Sequence, residues 1–239
     1  MKVTFIGTGT MSSIERGNTS VLVDDILFDI GMGTVKQLQR MKIYTTAVKY
    51  ICISHYHSDH FFDIPNLLIG KETRNEEKIV LIGAKGLRNK VIELMKFTHS
   101  DGNEHKYDKI EEKYNIEFVE LNEGEKFQRD NFTITAVPLK HGICKPVQGY
   151  ILEKENKKLA YCCDMTLFDG FYDICNKVDY MFSDVNGLLT DDNHIGLEDY
   201  VKIAKKYNNC RFYAIHRGDY KVKYTDIVNF PMDGDIIEI

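Results

Sequence analysis

No stretch of this chain is rich enough in glycine, proline or serine to serve as a linker, and no apolar run approaches the ~18 residues that a bilayer-spanning helix needs. The opening Met1-Lys2-Val3-Thr4-Phe5-Ile6-Gly7 lacks the long apolar segment of a secretion signal, so a cytoplasmic protein with no membrane partner is expected. The six cysteines include no CxxC pair and sit mostly inside apolar runs, which favours buried free thiols over disulfides or a thiolate metal site. There is no basic tail or stripe either: the net charge of −5 is spread over interspersed signs. That pattern speaks against a long nucleic acid gripped along its backbone and favours a small-molecule partner. What is present, 239 residues with 43% hydrophobic and 28% charged, is enough for a sizeable core and predicts a single domain over residues 1–239.

The densest chemistry lies in Ser54-His55-Tyr56-His57-Ser58-Asp59-His60, directly after the apolar run Tyr50-Ile51-Cys52-Ile53. The run reads as a buried strand and the polar stretch as the loop it feeds. Side chains two apart on an extended segment face the same way, so His55 and His57 can converge on one cation. Asp59 and His60 fall where a helix over 61–70 is expected to begin, which turns them elsewhere and suggests a second, neighbouring ion. Solvated loop histidines would be the bland alternative, but it suits one histidine better than three packed beside an aspartate.

Similar residues recur at the ends of later strands. Phe132 to Val137 runs into His141, a hairpin of Gln148–Glu153 and Lys158–Cys163 closes on Asp164, and Arg211–Ile215 closes on His216. Between the last two, Tyr180–Ser183 leads to Asp184, and His194 stands just ahead of a helix over 197–207. Other expected elements are a strand over 3–6, a hairpin over 18–29 turning at Asp24-Asp25, a helix over 34–41, a strand over 78–83 and an amphipathic helix over 85–97. Ile116–Val119 is expected to join Phe132–Val137 by a turn around Glu123-Gly124-Glu125. Gly7-Thr8-Gly9-Thr10-Met11-Ser12 lacks the third glycine of a dinucleotide fingerprint and is followed by no Walker lysine, so it reads as a tight loop near the site. Asp29 is poised at a strand end to hydrogen-bond the histidine loop. His99 and His105 have no ligand-type neighbour at close spacing and read as surface residues.

His55-x-His57-x-Asp59-His60 followed by His141, Asp164 and His216 resembles the metallo-β-lactamase superfamily. The resemblance implies an α/β fold, an αβ/βα four-layer sandwich of two mixed β-sheets flanked by helices. It further implies two divalent metal ions, zinc with manganese or iron as alternatives: His55, His57 and His141 on one, Asp59, His60 and His216 on the other, and Asp164 bridging. The catalytic set that goes with it is Asp59, His194 and Asp184, His194 donating a proton to a leaving alkoxide and Asp184 orienting it.

Within the superfamily the chain looks most like the ribonuclease Z and phosphodiesterase branch, through Gly7-Thr8-Gly9 with Arg16-Gly17-Asn18, Phe28-Asp29-Ile30-Gly31-Met32-Gly33-Thr34, and the pair Asp184 and His194. It departs from that branch at Met32, at Asp184-Val185-Asn186 and at His194-Ile195-Gly196. The segment between His141 and Asp164, where ribonuclease Z enzymes insert a tRNA-gripping arm, is barely a hairpin here. The expectation is therefore a binuclear phosphodiesterase of small or cyclic nucleotide-like diesters. The alternatives are hydrolysis of a carbonyl ester, lactone or thioester, a tRNA 3′ processing endonuclease, and a non-enzymatic metal-dependent sensor or redox protein. Lys140, Lys145, Arg217 and Lys221 are candidates for meeting a phosphate. Whether a second copy of the chain is a partner, as in a homodimer, stays open.

Overall fold

The computed structural model describes residues 1–239 apart from 74–76, 100, 101, 103 and 130, so part of the polar run 98–112 lies outside the described residues. The strands of the first half are β1 (Lys2–Gly7), β2 (Ser20–Val23), β3 (Ile26–Phe28), β4 (Tyr50–Cys52), β5 (Ile79–Ala84) and β6 (Ile116–Leu121). Those of the second half are β7 (Lys126–Arg129), β8 (Phe132–Pro138), β9 (Gln148–Lys154), β10 (Lys157–Cys162), β11 (Tyr180–Asp184), β12 (Arg211–Ile215) and β13 (Ile236–Glu238). The helices are α1 (Thr34–Arg40), α2 (Ser58–Phe61), α3 (Ile64–Thr73), α4 (Leu87–Thr98), α5 (Ile110–Tyr114), α6 (Asp169–Cys175) and α7 (Leu197–Lys206).

Strand composition explains the layering. In β5 the side chains alternate between two apolar environments, Val80 and Ile82 into one cluster and Ile79 and Leu81 into another. A strand covered on both faces reads as a continuous apolar run, and this one does. Two mixed sheets result, ordered β13-β1-β2-β3-β4-β5-β6 and β12-β11-β10-β9-β8-β7. Phe5, Phe28, Tyr161 and Phe182 belong to the layer between them. Leu38, Leu67, Val91 and Ile110 pack α1, α3, α4 and α5 on the outside of the first sheet. Phe171, Ile174, Tyr200 and Val201 do the same for α6 and α7 on the second. The outcome is the expected αβ/βα arrangement of four layers.

The structure differs from the sequence-based expectations in three places. The helix expected over 61–70 is two helices, because Pro65, which has no N–H to offer a preceding turn, sits in the first turn of α3 and restarts the helix there. Asp59 and His60 therefore lie inside the short α2. The turn around Gly124 does not join β6 to β8 directly; it carries the chain from the first sheet to β7 at the edge of the second. Finally, α5, α6 and the closing strand β13, which pairs antiparallel with β1, have no counterpart among the expected elements.

Because β3, β4, β10, β11 and β12 run so that their carboxyl ends meet at one edge of the sandwich, the residues that follow them gather there: Asp29, the 54–60 loop, Asp164, Asp184 and His216.

Candidate metal centre

The loop after β4 is tied to both sheets, Ile53 N–H donating to Ile82 O at 2.8 Å and Gln148 N–H to Ser54 O at 3.0 Å. Asp29, held at φ 59° just past β3, is its hub. Its Oδ1 accepts the Ser54 N–H at 2.7 Å; its Oδ2 accepts the Ser54 hydroxyl at 2.7 Å, the Tyr161 hydroxyl at 2.8 Å and His60 Nδ1–H at 2.8 Å. Three other imidazoles are anchored through the same nitrogen. His55 Nδ1–H donates to Ser54 Oγ at 3.0 Å, His141 Nδ1–H to the Asn193 carbonyl at 2.8 Å, and His216 Nδ1–H to Asp184 Oδ1 at 3.3 Å. Anchoring Nδ1 leaves each Nε2 lone pair for a cation, an arrangement common to metal-binding histidines.

Among the described residues four overlapping groups of ligand-type atoms result, two of them Asp164, Asp184, His194 and His216, and Asp29, His60 and Cys163; the other two hold the expected ligands. Those of His55, His57, His141 and Asp164 lie within 4.8 Å of one another, and so do those of Asp59, His60 and His216. Asp164 stands between them: its Oδ2 is 3.7 Å from both His55 Nε2 and His141 Nε2, and its Oδ1 is 3.2 Å from His60 Nε2 and 3.1 Å from His216 Nε2. His55 Nε2 and His60 Nε2 are buried and have no hydrogen-bond partner. A buried nitrogen without a partner is costly, so both fit a cation.

The electrostatics lean the same way. Burial works against charging His216, but Asp164, Asp184 and Asp59 around it outweigh burial and push its pKa up to about 10. Burial also opposes ionisation of Asp164, yet His216 and His60 hold its carboxyl well below the ordinary range. Burial lowers His55, and the neighbouring His60 lowers it further. The carboxylates thus call for positive charge at the shared centre, which protons supply only by charging buried imidazoles.

His194 Nδ1–H donates to Asp184 Oδ2 at 2.6 Å, and its side chain keeps 19% of its surface exposed. Its ring centroid lies 5.0 Å from that of His141 and 5.4 Å from that of His216, so it touches both groups. Burial would lower its pKa, but the bond to Asp184 raises it. Asp184 is fully buried and also accepts the Met165 N–H at 3.1 Å. A cavity of about 360 Å³ opens over these residues, lined further by Thr10, Met11, Ser12, Asn186 and Asn193.

Every residue singled out in the sequence as a metal ligand or catalytic group is brought to this edge, whereas His99 and His105 are not. The cations considered for phosphate are not there either. Lys140, Lys145 and Lys221 are exposed and line no part of this cavity, and Lys145 borders a separate groove of about 650 Å³ beside Lys85 and Leu139. Arg217 is buried, its guanidinium donating to Pro231 O at 2.7 Å. Sequence reasoning passed over Tyr161, Asn193 and Asn186. Asn193 acts through its backbone carbonyl, a group every residue has, so no residue type could have signalled it.

A two-sheet sandwich with paired imidazole and carboxylate groups at the strand ends defines the metallo-β-lactamase fold. The chain superposes on the metallo-β-lactamase fold protein YhfI of Bacillus subtilis with a TM-score of 0.77, at 18% identity over 99% of this chain and 98% of that one. It also superposes on human tRNase Z, short form, at 0.75, with 23% identity over 100% and 99%. A diphosphatase of the PhnP family gives 0.74, with 20% identity over 99% and 96%. The model of the anti-Pycsar protein Apyc1 family matches residues 1–230, and the chain belongs to that family. Ribonuclease Z of Staphylococcus epidermidis is 31% identical over 163 residues, 64% of this chain and 49% of that protein. The chain thus spans about half the length of the curated relatives it matches.

Proposed function

We propose that the protein is a binuclear metal-dependent hydrolase acting on small phosphodiesters, cyclic nucleotide-like ones included. The observation that carries this reading is His194, held by the buried Asp184, on the wall of a cavity that the metal-type ligands His57, Asp59, His141, Asp164 and His216 also line. His55, His57 and His141 would hold one ion and Asp59, His60 and His216 the other, with Asp164 shared. Imidazole with carboxylate suits zinc, with manganese or iron as alternatives. A divalent ion pair supplies Lewis acidity and a water of lowered pKa, ~7 for zinc.

The rest of the chemistry falls to the chain. Asp184 fixes the His194 ring by accepting from Nδ1, which leaves Nε2 to carry a proton toward the cavity. The raised pKa keeps that proton in place to higher pH. A phosphodiester leaves as a poor alkoxide and gains from a general acid placed there. An acyl substrate depends less on such a donor, so the pair favours phosphorus chemistry over lactone or thioester hydrolysis. The names of the relatives, ribonuclease Z, tRNase Z and a diphosphatase, also lean to phosphorus.

Small diesters are favoured over precursor tRNA because the whole stretch from His141 to Asp164 is taken up by the β9–β10 hairpin and its flanking turns, and the net charge is −5. Elemental analysis of zinc-supplied protein should give two ions per chain. Assays on nucleotide diesters, a lactone, a thioester and a tRNA precursor should show turnover of the small diesters alone. Folded protein with near-zero metal would overturn the two-ion reading. Precursor cleavage as fast as that of a small diester, with a steep salt dependence, would overturn the small-substrate reading.

A further inference from the structure

Apart from the candidate ligands and His194, the cavity is lined by neutral groups: among the described residues, no lysine or arginine borders it. A phosphoryl oxygen not held by metal must therefore find an uncharged donor. Thr10 Oγ1 and Ser12 Oγ are 3.1 Å apart and hydrogen-bond each other. Asn186 is different. Its backbone is pinned, Gly218 N–H donating to its carbonyl at 2.9 Å, and the preceding Val185 is held from both sides by Ile215 O and the Tyr220 hydroxyl. Its half-buried carboxamide makes no hydrogen bond to any described group. Asn186 lines the cavity, so its unpaired carboxamide offers there the one donor it has, Nδ2. Asn186 stands two residues beyond Asp184, the last residue of β11, and lines the cavity together with His194 and His216.

We infer that Asn186 Nδ2 is a catalytic hydrogen-bond donor to a phosphoryl oxygen of the substrate, a conclusion that rests on the phosphodiesterase reading above. A neutral donor aimed at an oxygen that gains charge in the transition state acts mainly on kcat. Zinc-loaded Asn186→Ala should lose about 10²-fold in kcat on bis(p-nitrophenyl) phosphate, the scale set by losing one oxyanion donor, with KM little changed. Asn186→Asp should lose more, since it turns a carboxylate toward the anion, and Asn186→Ser, which keeps a donor, should recover part of the loss.

Calorimetric titration of zinc-loaded protein with inorganic phosphate supplies a readout independent of turnover. Affinity should fall from the native protein to the serine, alanine and aspartate variants in that order, by about tenfold or more at alanine. Unchanged kcat and phosphate affinity in Asn186→Ala would overturn the inference. So would equal losses in all three variants accompanied by loss of zinc, which would make Asn186 structural. If the native protein hydrolyses no phosphodiester, the proposed function fails and the catalytic role with it, while the order of phosphate affinities still decides whether Asn186 donates to a phosphoryl oxygen.

Discussion

Among the imidazoles at this edge, His194 combines an anchored Nδ1, partial exposure and a raised pKa. If it donates the leaving-group proton, His194→Ala should retain fold and metal while lowering kcat by about 10²–10⁴ on an alkyl diester. A nitrophenyl ester leaves without help and should be far less affected. Asp184→Asn is not simply a weaker version of the same change, because Asp184 Oδ1 also receives His216 Nδ1–H. That variant should lose metal affinity on the Asp59, His60 and His216 side as well. The sign of the pH effect follows from the Asp184 bond. The acid form of His194 is favoured, so the rate holds as pH rises and is lost as pH passes the raised pKa. Weakening the bond should move that alkaline limb to lower pH. Equal losses on alkyl and nitrophenyl esters would instead assign His194 to substrate positioning.

At the scale of elements, the placement of the proposed ligands Asp59 and His60 depends on how α2 docks against the turn after β3. Ile30 N–H donates to His60 O at 2.8 Å and Met32 N–H to Ser58 O at 3.1 Å, so the two segments run in direct backbone contact. Gly31 stands between those donors, and a Cβ there would overlap the Asp59 carbonyl. Gly31→Ala must displace α2, at a cost of about 3 kcal/mol by analogy with overpacked sites. Differential scanning calorimetry should record the lost stability, and elemental analysis a total metal content below that of the native protein. Native metal content in that variant would mean that α2 is not held by this contact. This docking could not be read from the chain, since it depends on backbone groups brought together across the fold. Ligand-bearing strand ends were legible because histidine and aspartate after apolar runs are conspicuous. Strands covered on both faces, such as β5, announce themselves as apolar runs, but β7 contributes Phe127 as its one buried side chain and has no such signature. Tyr161, whose hydroxyl donates to Asp29, and Asn193, whose carbonyl accepts His141 Nδ1–H, were hidden for a related reason: they reach the site from strands and loops far along the chain.

On the scale of the whole molecule, the three apolar clusters lie between and outside the sheets, so a chelated chain should still unfold cooperatively, only at lower temperature. Its dependence on pH should differ from that of the metal-loaded form. Without metal, His216 titrates at about 10 in the folded chain, against about 6.5 when unfolded. That contribution is fully present below about pH 6.5 and is lost as pH rises through about 10. Asp59 and Asp164, held low, contribute above their ordinary range of about 4 and lose this only in acid, outside that window. Metal binding uses neutral imidazole, so protons compete with the ion and binding strengthens as pH rises. Stability gained from metal should therefore grow across the same interval in which the chelated chain weakens. With free metal at a hundred times Kd, each site adds about 2.7 kcal/mol, or about 5–10 °C in Tm for a chain of this length. Scanning fluorimetry with zinc and with chelator, from pH 6.5 to 9, should show the gap between the two midpoints widening. A gap that stays flat or narrows would mean that His216 is not charged in the metal-free fold, and that the carboxylates around it are neutralised by some other group.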